Sequence, residues 1–179
     1  MDLLGPYHPQ IVHAPIALLI FSLAFDLVGR ALDSDWWRKA SLALLVVGTL
    51  GSAAAVLSGS AVADRVEDRQ GVPERLVDGH ENMGKLSLWI AGGALAARLV
   101  EAGAGAARTA VGVVALLLQF AAAITVGIAG HRGGNLVLHQ GAGVEIDGKL
   151  ITHPGAKPAP GEGVKRGERS RATGEKDAD

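Results

Sequence analysis

Histidines are the residues of this chain best suited to chemistry, and five of the six fall in three short stretches. HPQIVHAPIALLIF, residues 8–21, sets His8 and His13 ahead of a long apolar run; DGHENMGK carries His80; GHRGGNLVLHQGAGV carries His131 and His139. Imidazole ligates haem iron, copper and zinc, and it titrates near neutral pH. Cysteine is absent, which excludes disulfides, thiolate-bound zinc, iron–sulfur ligation by this chain and thioether-attached haem. No nucleophile elbow, P-loop or HExxH helix occurs, and Ser58 and Ser60 in LSGSAVAD read as packing residues. The inventory points to a binding module and away from a catalyst in its own right.

The elements that must position these histidines are apolar. The chain has 179 residues, 49% of them hydrophobic, and a mean hydropathy of +0.28, which indicates a membrane protein. A net charge of −1 gives no electrostatic case for a nucleic-acid partner. Four apolar segments, at about residues 11–29, 40–63, 85–105 and 110–130, approach or exceed the ~20 residues that span a bilayer. A soluble bundle needs a polar stripe every three or four residues; ALLVVGTLGSAAAVL and AVGVVALLLQFAAAITVGI have none. The first segment lacks the basic start and small-residue cleavage site of a signal peptide and reads as a retained helix. Small residues such as Gly48, Gly51, Ser52, Ala55, Ser58 and Gly59 predict close helix packing. The expected fold is an all-α membrane bundle of four transmembrane helices over residues 1–153, ending in a short extended hairpin. Residues 154–179 read as a disordered polar tail.

Four spans bring His8, His13, His80, His131 and His139 to one membrane face. In this reading His80 lies just ahead of the third helix, and HRGG ends the fourth, so that NLVLHQ is extended. VEIDGKLI reads as a hairpin through its Asp-Gly pair and could fold over the histidine face as a lid. Pro9 suits the first helical position, whereas Pro15 removes a backbone bond near Ile11. On an ideal helix His8 and His13 stand about 140° apart. The opposite face holds Arg30, Arg38, Lys39, Arg98 and Arg108, a bias toward the cytoplasm, and the Trp36–Trp37 pair. Asp26, Arg98, Glu101 and Gln119 could form a polar network toward that face.

HPQIVHAPIALL and GHRGGNLVLHQGAGV, with a histidine ahead of the third helix, resemble the bacterial membrane domain of unknown function 2231. Its pattern is HPxxVHxPI at the first helix and a glycine pair with LVxxHGxGV after the last. The resemblance covers about residues 7 to 145. It carries over to His8, Pro9, His13, Pro15, His80, Gly133, Gly134, His139, Gly141, Gly143 and Val144. Ala14 stands where an aromatic is common, and Gln140 separates His139 from Gly141. The resemblance implies a four-helix module of the bacterial cytoplasmic (inner) membrane. It further implies an extracytoplasmic Rieske or cytochrome c protein as redox partner and an extracytoplasmic histidine face.

Three functions lead from the sequence, ahead of a proton-conducting transporter, for which the spans lack a chain of carboxylates across the midplane. The first is a redox module binding haem b through His13 and His80, with His139 or His8 as substitute ligands and Arg132 paired to a propionate. Gly59, Gly92 and Gly93 would make room for the flat ring. The second is copper or zinc held by His8, His13, His80 and His139, with Asp78, Glu81 or Met83 joining. The third is a non-catalytic anchor or assembly subunit whose histidines form a hydrogen-bonded network.

Overall fold

The computed structural model describes residues 5–147, 149–154 and 156–157. The first span is composite: a 3-10 turn Gly5–Tyr7, α1 His8–Ile11 and α2 His13–Ala31. α3 Asp35–Gln70, α4 Glu74–Gly103 and α5 Arg108–Gln140 follow in alternating direction. Neighbouring helices close a ring, α2 on α3, α3 on α4, α4 on α5 and α5 back on α2. All four spans are long and apolar enough to cross a membrane.

Burial is inverted relative to a water-soluble bundle. Ser22, Asp26, Ser41, Ser58 and Gln119 are almost fully buried, while Phe21, Trp36, Leu50, Leu57, Trp89, Leu117 and Phe120 are more than half exposed. That distribution is stable only where the surroundings are lipid. Leu19, Leu45, Ala91, Ala94, Ala122 and Val126 form the apolar centre. Helices approach closely there because side chains are missing. A Cβ on Gly48 would stand 3.0 Å from Leu19, and one on Gly130 would stand 3.0 Å from Ile16.

Hydropathy located the spans but not the helix ends. The third helix, expected from about residue 85, starts at Glu74, so His80 lies inside it. The fourth, expected to stop at HRGG, runs through Gly133 and Gly134 to Gln140, so His131 and His139 are helical and NLVLHQ is not extended. The second reaches Gln70 rather than residue 63 and begins at Asp35, which puts Trp36 and Trp37 in its first turn. Apolarity reports depth in lipid, whereas backbone hydrogen bonds continue into water until a residue breaks them. Here the breakers are Gly71 (φ +71) and Gly141 (φ +62), left-handed caps that end α3 and α5. At 36 residues, α3 is about 54 Å long, well beyond the ~30 Å hydrocarbon layer. The break expected from Pro15 appears at Val12, between α1 and α2, where Ile16 N–H reaches Val12 O at a loose 3.4 Å.

The hairpin forms, with β1 Glu145–Ile146 antiparallel to β2 Lys149–Leu150 and Asp147 at φ +53. Gln70 ties it down. Its Nε2 donates to Gly141 O and Ile151 O, both at 3.0 Å, and its Oε1 accepts from Gly143 N at 2.8 Å. His153, the last residue before the expected tail, donates through its backbone N–H to Gln70 O and makes a ring contact with Gln140 O. Lys157 reaches Asp68 with both its backbone N–H and its ammonium. The rest of the expected disordered tail, 158–179, lies outside the described residues.

Candidate functional site

At the histidine end the helices line an open-mouthed cavity of about 500 Å³. It exists because the facing stripes are small: Ala55 and Gly59 on α3, Gly84 on α4, Ala129, Gly130 and Gly133 on α5. Hairpin residues Glu145 and Leu150 contribute to its wall, as a lid would.

His8 from α1 and His80 from α4 meet at this cavity, ring centroids 6.1 Å apart and planes at 77°. Glycines make the room. A Cβ on Gly59 would stand 2.9 Å from the His8 ring, and one on Gly133 would stand 2.9 Å from the His80 ring. Hydrogen bonds engage Nδ1 of both rings. His80 Nδ1 donates to Ala129 O at 3.0 Å. Ser58 Oγ gives its own hydrogen to Ala55 O, so it accepts from His8 Nδ1 at 2.9 Å. Each ring therefore carries an unprotonated Nε2, and neither Nε2 has a hydrogen-bond partner among the described residues. Deeper in the wall, the buried Ser87 Oγ also has no partner. Arg65, exposed and in no ion pair among the described residues, also lines the cavity.

The other sequence candidates lie elsewhere or face away. His13 touches the cavity, but it is exposed and its Nδ1 donates to Pro9 O at 2.6 Å. His8 and His13 thus divide between bundle and surface, on either side of the break at Val12. His139 and Arg132 line a separate hollow, and Arg132 Nη1 donates to Gly79 O. A Cβ on Gly92 would meet nothing within 4 Å, and one on Gly93 would only touch Leu118, so neither clears space for a ring at the cavity. Among the described residues no three His, Asp or Glu side chains converge to hold a metal ion. Ser58, Gln70 and Arg65 escaped sequence reasoning. Serine in a small-residue helix and polar residues past an apolar run carry no distinguishing local signal.

A second polar cluster occupies the opposite end. Asp26 and Arg30 on α2 meet Arg98 and Glu101 on α4 in a neutral quartet. Arg98 lies 2.6 Å from Glu101 and 3.2 Å from Asp26; Arg30 lies 2.9 Å from Asp26 and 3.2 Å from Glu101. Gln119 of α5 donates to Asp26 at 3.1 Å and accepts from Ser22 at 3.0 Å. Ser41 of α3 completes the four-helix connection by donating to Ser22 O at 2.8 Å. A Cβ on Gly112 would collide with Glu101, so α5 can approach the quartet only through glycine.

A ring of four lipid-facing spans around an interior that buries polar side chains beside its apolar centre, with a histidine-lined cavity at one end, defines an integral membrane protein. The chain belongs to the family described as predicted membrane protein, domain of unknown function 2231, whose sequence model matches residues 5–146. No curated protein and no solved structure matches it.

One substitution tests how the rings are seated. Gly133→Ala places a methyl group against His80 and should push the ring off Ala129 O, at a cost of about 1–3 kcal/mol. Thermal unfolding in detergent measures the cost. A change below about 0.5 kcal/mol would show that the ring has slack.

Proposed function

We propose that the cavity binds a b-type haem between His8 and His80 and that the protein is an electron-transfer module of the bacterial inner membrane. The observation that carries this reading is the pair itself: two imidazoles from different helices, each held through Nδ1, each with a free Nε2 at one cavity. Both rings line the one cavity, so His8 and His80 could together hold a single haem iron. Haem supplies its own equatorial donors and needs only two axial ligands, whereas a bare zinc ion takes three or four from the protein. Two imidazoles at one cavity, without a third acidic or imidazole partner among the described residues, therefore favour haem over zinc. The volume suits a ligand of that class.

Bound there, haem would supply one-electron redox chemistry. The chain's own residues orient and tune. Ala129 O and Ser58 Oγ fix the ring orientations and make each Nε2 a better donor. Arg65 offers a cation to a carboxylate at the wall. The test is an absorption spectrum of the full chain, purified in detergent from haem-replete cells, oxidised and then dithionite-reduced. A stoichiometric Soret band that shifts on reduction supports the reading; a folded, colourless protein overturns it.

The proposal keeps the histidine end extracytoplasmic, where a Rieske or cytochrome c partner of the kind the family resemblance implies would dock. Arg30 and Arg98 are neutralised in the quartet and Arg38 pairs with Asp33 and Asp35, so Lys39 and Arg108 carry the charge bias of the opposite end. The chain lacks cysteine, which makes single-cysteine labelling clean. Asp147→Cys should react with a membrane-impermeant maleimide in spheroplasts, and Arg108→Cys only after lysis. The reverse pattern would invert the orientation.

A further inference from the structure

A second hollow, of about 450 Å³, lies between the first turns of α4 and the last turns of α5. We infer that it binds a phosphate group, supplied by the headgroup of an anionic membrane lipid. Arg75 and Gly79 line it from α4; Arg132, Asn135, His139 and Gln140 line it from α5. No Asp or Glu is among its lining residues. Arg132 Nη1 donates to Gly79 O at 2.6 Å, which holds the guanidinium in the wall and leaves its other donors for a ligand.

Pairing separates the two arginines of this hollow from those of the quartet. Arg30, Arg38 and Arg98 each have carboxylate partners. Among the described residues Arg75 and Arg132 have none. Two unpaired guanidiniums in a concave wall, beside the positive N-terminal end of α4, select an anion, and guanidinium geometry suits phosphate oxygens. Leu138, 80% exposed and one helical turn from Asn135 on α5, offers apolar surface for an acyl chain beside the hollow. Basic hollows between membrane helices with lipid-facing flanks take anionic headgroups. A free phosphate would use the same donors but not that flank. The inference does not depend on whether the histidine cavity holds haem.

Delipidated full-length protein in detergent, titrated with phosphatidylglycerol, phosphatidylcholine or inorganic phosphate and read by native mass spectrometry or calorimetry, tests it. Phosphatidylglycerol should bind more tightly than phosphatidylcholine. Arg75→Gln should weaken it about fivefold, and Arg75→Gln with Arg132→Gln about 30-fold. Arg132 also bonds Gly79, so the double variant risks local misfolding. Arg75 is exposed and makes no side-chain bond among the described residues, and its single variant therefore decides. Inorganic phosphate that competes with the lipid supports the shared site. Inorganic phosphate binding alone, sensitive to Arg75, overturns the lipid source. Equal binding of the two lipids, or a folded Arg75→Gln that binds as tightly as the parent, overturns the site.

Discussion

Replacing His80 or His8 with alanine should abolish stoichiometric haem absorbance, while His13→Ala and His139→Ala should keep it. The proposal makes the first two rings axial ligands, and a lost ligand has no substitute, because no third His, Asp or Glu converges on the pair among the described residues. His13 is turned to the surface and His139 lines the other hollow. Cofactor retention in His8→Ala or His80→Ala should fall more than about 100-fold, beyond the 10–100-fold expected when only a supporting residue is lost. Ser58→Ala, which removes only the partner of His8 Nδ1, should weaken binding about tenfold. Circular dichroism and size-exclusion profiles separate loss of ligand from loss of fold. In His80→Gly, added imidazole should restore the band. Full absorbance in His80→Ala, or its loss in His13→Ala with the fold intact, would rule out the assigned pair.

Arg98→Met should cost about 3–5 kcal/mol of stability in detergent or bicelles, with the haem spectrum unchanged in the protein that folds. Arg98 holds both carboxylates of a buried quartet, and its removal leaves Asp26, fully buried, and Glu101 facing Arg30 alone. An uncompensated buried charge costs far more than the net worth of the pair that contained it. Asp26→Leu combined with Arg98→Met should therefore be less destabilising than the sum of the two single changes. Arg98→Met within about 0.5 kcal/mol of the parent would mean that water or lipid headgroups already compensate the quartet. The quartet and the Ser22–Ser41–Gln119 contacts connect all four spans. Like-with-like apolar packing offers little preference among rotations of one helix against another in lipid, and polar contacts of this kind supply it.

Much of the architecture was legible along the chain. Uninterrupted apolar runs marked four spans, Asp-Gly marked the hairpin, Pro15 marked the break near Ile11, and Asp26, Arg98, Glu101 and Gln119 stood out as a potential network because such residues are costly in lipid. The end of the bundle that carries the histidines followed from counting spans. Each of these depends on local backbone chemistry or on transfer of single residues into lipid, and both are readable from residue type and order.

Helix ends and ligand pairing were not legible in the same way. ERLVDGHENMGK is polar yet helical, because nothing after Pro73 breaks its hydrogen bonds, and this moved His80 from a loop onto a helix face. His13 looked the better ligand by its depth in the apolar run, but α1 packs on α3 and Gly59 receives His8, which leaves His13 outside. Nor could order along the chain show that Ser58 would direct one imidazole, that Ala129 O would direct the other, or that Arg75 and Arg132 would share a hollow. Sequence alone determined which segments enter the membrane and what they carry. Only the tertiary structure decided which side chains meet, because each meeting depends on the rotation and depth of separate helices, and packing sets those.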